Sequence, residues 1–163
     1  MARCSPYAAA FLDELYARAE ASPRRRMHHN LHCSHEEPVQ RLFNAICTDS
    51  YIQPHRHSLD PKAELLMAAR GRFAVILFDD GGHIVGALQL GNRPGGTVAV
   101  ELGPLQWHTV IALEAGAVLF EVKQGPFDPT QPKEPASWCP QEGAPAAYAY
   151  LERLRVAAVQ ALG

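Results

Sequence analysis

The sequence predicts an all-β core, an antiparallel sandwich or barrel carrying short flanking α-helices. Short extended segments follow one another from Tyr51 to Lys123, turns rich in Gly and Pro separate them, and helical spacing of apolar residues is confined to the flanks of that region. Parallel strands need crossover connections of a dozen or more residues, usually helical, so strands joined only by turns are expected to pair antiparallel.

Ser5-Pro6 suits a helix opening, and Ala8, Phe11, Leu12, Leu15 and Ala19 then recur at helical spacing, which predicts a helix over 6–20. Ser22-Pro23 ends it. Val39, Leu42, Phe43 and Ile46, entered through Glu36, Glu37 and Pro38, predict a second short helix over 38–47. The apolar run Phe73 to Phe78, the turn residues Asp79-Asp80-Gly81-Gly82 and the run Ile84 to Leu90 read as a hairpin. Asn92-Arg93-Pro94-Gly95-Gly96 is a second turn, Val98, Val100 and Leu102 alternate as in a strand, and Val118 to Lys123 is another. Gly125 to Pro145 is expected to be irregular, and Pro145 opens a last helix with Tyr148, Leu151, Leu154, Ala158 and Leu162 on its apolar side. The 163 residues suit one domain: a helical segment at about 6–47, a barrel at about 50–125, then an irregular segment and C-terminal helix at about 126–162.

Composition narrows the functional classes. Apolar residues make up 47% and charged residues 20%, as in ordinary globular chains, and no apolar run reaches the roughly 18–20 residues of a spanning helix, so no membrane partner is expected. A net charge of −2 offers no electrostatic footprint for nucleic acid. The four cysteines form no Cys-x-x-Cys pair and read as free thiols rather than a zinc site or disulfide framework. Asp13 and Glu14 interrupt what would be the apolar centre of a secretory leader, so a cytoplasmic location is expected.

Among the eight histidines, His55 and His57 are set apart by their alternation. In a strand they share one face, about 7 Å apart along the chain. Glu64 follows a short loop and precedes Gly71, a turn candidate, so a neighbouring strand can bring its carboxylate beside the two imidazoles, with Glu101 as a competing carboxylate. His108 is a possible fourth donor. Three imidazoles and one carboxylate suit one divalent ion such as Fe, Mn, Ni, Zn or Co. His28, Asn30 and His32 also alternate, either as ligand contacts over a barrel mouth or as a solvated linker. Arg24, Arg25 and Arg26 are either an oxyanion site or a solvated basic run. Tyr51 is a further candidate for ligand contact. Glu121 and Lys123 share a strand face and either orient a ligand or form an exposed ion pair; Trp107 and Phe73 read as core.

His-x-His, then Glu, six residues and Gly, with a later His after a Gly/Pro turn, resembles the two cupin motifs. The text around them is similar to the WbuC-type cupin fold metalloproteins. The resembling segments are Tyr51-Ile52-Gln53-Pro54-His55-Arg56-His57, Gly71 to Asp80, Trp107-His108-Thr109-Val110 and Phe120 to Phe127, within a likeness running from about Arg24 to Trp138. The loop from His57 to Glu64 is longer than in the general motif, Gly103-Pro104-Leu105 replaces the usual turn before the last histidine, and Ala112 stands where Asn is usual. The resemblance implies a cupin jelly-roll barrel with His55, His57, Glu64 and His108 as metal ligands. It further implies a small polar ligand such as a sugar or nucleotide sugar in bacterial surface-polysaccharide metabolism, with a non-catalytic ligand-binding or sensing cupin as the alternative. Barrels of this class often pair through outer strands, which implies a homodimer.

Overall fold

The structure is a computed structural model that describes residues 4–91, 96–130 and 133–162. Helix α1 (Ala9–Ala21) leads into β1 (Arg26–Asn30) and β2 (Val39–Ile46); β3 (His55–Arg56), β4 (Glu64–Arg70), β5 (Phe73–Phe78), β6 (Ile84–Leu90), β7 (Ala99–Leu102), β8 (Trp107–Ala112), β9 (Val118–Gln124) and β10 (Glu134–Pro135) follow, and α2 (Ala147–Leu162) comes last. The strands form two five-stranded sheets, ordered β1-β2-β9-β4-β7 and β10-β3-β8-β5-β6, and neighbouring strands within each sheet run antiparallel. This is the cupin jelly-roll barrel with two short flanking helices.

Strand parity sorts side chains between the interior and two outer layers. Phe73 and Val75 on β5 join Leu66, Leu119, Val110 and Ile46 in the core between the sheets, whereas Ala74, Ile76 and Phe78 face out into a cluster with Leu151, Leu154 and Ala158 of α2. Helix α1 covers the other sheet, placing Leu15 and Ala19 against Ala45, Cys47 and Val118. A strand covered on both faces reads as an unbroken apolar run, which is why Phe73 to Phe78 shows no alternation. Two glycines make the turns: Gly71, at φ +76° between β4 and β5, and Gly82, at φ +83° in the β5–β6 hairpin, where a Cβ would come 2.5 Å from the Trp138 ring.

The second predicted helix is instead β2, paired on one side with β1 and on the other with β9. Its even positions face the interior, its odd positions Phe43 and Ala45 pack under α1, and the resulting apolar residues at 39, 42, 43 and 46 imitate helical spacing. The sheets therefore begin at Arg26 rather than near residue 50. The last helix buries Ala147, Leu151, Leu154 and Ala158, but Tyr148 is 66% exposed rather than on the apolar side; the side chain of Leu162 lies outside the described residues. The segment after Gly125 is irregular except for β10. The predicted turn at 92–96 falls largely outside the described residues. The cysteines Cys4, Cys33, Cys47 and Cys139 are free thiols. Among the described residues no helix is long and apolar enough to cross a membrane.

Candidate metal centre

The four candidate donors come from both sheets. His55 opens β3 and lies directly opposite His108 of β8, while Glu64 opens β4 on the facing sheet, in register with Leu102 of β7 and Lys123 of β9. The approach to β3 is anchored by Thr109, whose hydroxyl donates to the Ile52 carbonyl at 2.6 Å, and by the Gln53 amide, which donates to the Ala136 carbonyl at 2.9 Å. One donor atom from each of His55, His57, Glu64 and His108 lies within 4.8 Å of the other three, and all four side chains are buried. Glu101 pairs in register with Leu65, the position after Glu64, so alternation turns it to the opposite face of the sheet, where it is exposed.

Main-chain carbonyls set the tautomers of two imidazoles. Nδ1 of His55 is 2.9 Å from the Gln53 carbonyl and Nδ1 of His108 is 2.9 Å from that of Gln106; a carbonyl only accepts, so each Nδ1 carries a proton and each Nε2 is the nitrogen left to face inward. Glu64 Oε1 lies 2.8 Å from His108 Nε2 and 3.2 Å from His57 Nε2. Burial opposes ionisation of Glu64, but hydrogen bonds from His108 and His57 outweigh it together and hold the carboxyl well below its ordinary range. Burial, reinforced by the charge of Lys133, holds His55 well below its ordinary value, so its imidazole is neutral and competent to bind metal. Lys123 places Nζ 2.6 Å from His57 Nδ1 and is itself pushed down by burial. Three nitrogens and a carboxylate oxygen, buried, convergent and with two tautomers already set, fit a divalent ion of the borderline class.

The donors border a cavity of about 190 Å³ between the sheets, reached by His55, Glu64 and His108. Ile52, Leu66, Val110 and Leu119 form its apolar lining, and Asn44, Glu121, His28, Arg24, Arg26 and Lys133 its remaining polar wall. Asn44 donates to Glu121 Oε1 at 2.9 Å. Burial, aided by the charge of Glu64, pushes Glu121 up to about 7, and burial together with Arg26 pushes Lys133 down to about 8.

The other candidates divide. Glu121 and His28 face the cavity, His28 at its exposed rim. Asn30 does not; it is exposed at the far end of β1. His32 is likewise held away, because its Nδ1 lies 3.0 Å from the Arg41 amide and 2.9 Å from the Arg41 carbonyl. Tyr51 does not line the cavity, and its hydroxyl donates to the Pro140 carbonyl at 2.8 Å. Lys123 supports His57 and does not line the cavity. Phe73 and Trp107 are core. The basic run splits, with Arg24 and Arg26 on the cavity wall and Arg25 turned away onto Asp49. Two cavity residues carried no sequence signal: Asn44 sits in the stretch with helical spacing, and Lys133 in the proline-rich segment with no motif near it.

Two facing antiparallel sheets build a cupin-like jelly-roll fold, and the buried three-histidine, one-glutamate cluster between them is a donor set that fits a metal site. The chain belongs to the family described as a domain of unknown function (DUF6016), whose model matches residues 7–90, just over half of the chain. No curated protein matches its sequence. Among solved structures it is similar to protein SO0799 from Shewanella oneidensis, at 12% identity with a TM-score of 0.55 over 84% of this chain and 85% of that one. It is also similar to an oxalate oxidase in complex with the substrate analogue glycolate, at 11% identity and a TM-score of 0.50 over 65% of this chain and 54% of that one. A cupin 2 domain-containing protein from Halorhodospira halophila superposes with a TM-score of 0.48 at 15% identity, covering 83% of this chain and 81% of that one.

Proposed function

We propose that this chain is a metal-dependent cupin that binds a small, oxygen-rich polar molecule, such as a sugar derivative, between the sheets and acts on it there. The observation that carries this is the opening of the buried His55, Glu64 and His108 side chains onto the cavity, since a purely structural site would be closed. The surface-polysaccharide context implied by the WbuC-type resemblance agrees with a ligand of this kind. A divalent ion held by His55, His57, Glu64 and His108 supplies Lewis-acid polarisation of a ligand oxygen. Glu121 is the group suited to accept or return a proton near neutral pH, with Asn44 holding its Oε1. The cavity, at about 190 Å³, is small beside the roughly 300–1,000 Å³ of common ligand pockets, which suits a molecule of monosaccharide size.

The test is to incubate metal-loaded and chelated protein with small sugars, sugar acids and sugar phosphates, following product by NMR and binding by calorimetry. Turnover that needs the metal and is lost in His108→Ala supports the proposal. Metal-dependent binding without turnover makes the chain a binding module instead. Binding or turnover indifferent to chelation and to His108→Ala overturns the proposal.

A further inference from the structure

The basic side chains on the cavity wall form a built arrangement. Arg25, between Arg24 and Arg26, sits at φ +55° and is the one non-glycine residue in the left-handed region among the described residues. Backbone strain of this kind persists only where its surroundings enforce it. Here the Cys47 amide donates to the Arg25 carbonyl at 2.9 Å and Asp49 takes the Arg25 guanidinium. Arg24 and Arg26 on either side converge on Glu142. Arg24 grips it with Nε at 2.6 Å and Nη2 at 3.1 Å, and Arg26 Nη2 lies 2.5 Å from the same carboxylate. Arg26 is further fixed by donating to the Ser50 hydroxyl at 3.2 Å and the Tyr51 carbonyl at 3.1 Å.

Glu142 orients these guanidiniums without itself lining the cavity. Lys133 joins them on the wall and, among the described residues, has no carboxylate partner of its own. Arg24 and Arg26 thus share one carboxylate, which lies outside the cavity lining, and Lys133 does not contact it. On the lining itself the acidic groups are Glu64, committed to His57 and His108, and Glu121, held by Asn44. A partly desolvated wall with surplus positive charge and rigid donors favours a ligand that brings negative charge.

We infer that Arg24, Arg26 and Lys133 form an oxyanion subsite, so that the molecule taken by the cavity carries a carboxylate or a phosphate in addition to the oxygens presented to the His/Glu donors. This rests on the proposal above that the cavity is a ligand site, and it narrows the ligand from polar molecules in general to small acids and phosphorylated sugars.

The experiment titrates inorganic phosphate, D-glucuronate and D-glucose into the full chain by calorimetry, in wild type, Arg24→Gln and Lys133→Met, with metal content and melting temperature measured for each protein. Arg24 is 60% exposed, so Arg24→Gln keeps the fold and decides the matter even where Lys133→Met does not fold. The expected result is that phosphate or glucuronate binds wild type more tightly than glucose, and that the variants bind the anion about tenfold more weakly or worse, the loss of one charge-assisted hydrogen bond. Phosphate as the better ligand selects the phosphorylated class and glucuronate the acid class. Anion affinity unchanged in Arg24→Gln, no anion binding by wild type, or glucose binding as tightly as glucuronate overturns the inference. Arg24-dependent anion binding in a protein that holds no metal keeps the subsite and removes the metal-dependent function; metal-loaded protein indifferent to anions does the reverse.

Discussion

His108 is the donor whose removal bears most directly on the candidate centre. Its side chain is almost fully buried, with Nε2 2.8 Å from Glu64 and Nδ1 2.9 Å from the Gln106 carbonyl. In metal-free protein, His108→Ala leaves both acceptors without that donor in a buried setting, at about 1–3 kcal/mol each, so a loss of about 2–6 kcal/mol is expected. The metal adds a separate effect. At free metal a hundredfold above the dissociation constant, binding stabilises the wild type by about 2.7 kcal/mol; if the substitution weakens affinity about a hundredfold, the same metal concentration stabilises the variant by only about 0.4 kcal/mol. For a chain of this size 1 kcal/mol moves the melting temperature by about 2–4 °C, so chelator should lower the wild-type Tm by about 5–11 °C and leave that of His108→Ala nearly unmoved. Elemental analysis and calorimetry with and without chelator read both quantities. His83→Ala is the control, because His83 is 82% exposed and, among the described residues, bonds only to Asp79 in the β5–β6 hairpin. Equal metal content in wild type and His108→Ala would refute the proposed ligand set.

Further expectations concern the cavity and the layers around it. Glu121, raised from 4.5 to about 7, binds its proton more tightly folded than unfolded, so it costs stability progressively as pH rises from about 4.5 through 7. Glu121→Gln should accordingly gain about 1–3 kcal/mol over wild type at pH 8 and little at pH 4, read by urea unfolding; a difference that does not change with pH rejects the raised value. Glu142 is depressed to about 2: burial alone would raise it, but Arg24 and Arg26 together outweigh that. Its contribution is present above about 4.5 and lost as pH falls toward 2, so the stability gap between wild type and Glu142→Gln, about 1 kcal/mol at pH 7 after solvent screening, should narrow at pH 3. Leu151→Ala, at a position 1% exposed under the second sheet, should cost about 2–5 kcal/mol, and a loss below 1 kcal/mol would show that α2 does not pack as described. A fragment starting at Tyr51 lacks β1 and β2 from the first sheet and should give no cooperative melting transition, whereas a cooperative one would show that the remaining strands suffice.

Residue order alone was enough for the class of fold, α1, the β5–β6 hairpin, β9, α2 and the pairing of His55 with His57, because each rests on local chemistry. Turn residues bound the hairpin, the helices repeat at their own period, and alternation puts His55 and His57 on one face. Local pattern misled where a strand has two apolar neighbours. β2 packs inward against the core and outward against α1, and the union of its two faces looks helical. The same limit applies to the cavity. Glu64 meets the histidines because it opens β4 on the sheet facing β3 and β8, and register with Leu65 turns Glu101 away; neither fact is contained in spacing along the chain. Arg24 and Arg26 part company with Arg25 through one left-handed residue, and Asn44 and Lys133 reach the cavity by pairing and by the path of the segment before β10. Alternation and turn chemistry act over a few residues and are written in the sequence, whereas the choice of which faces meet across the barrel is made only when the two sheets close on each other.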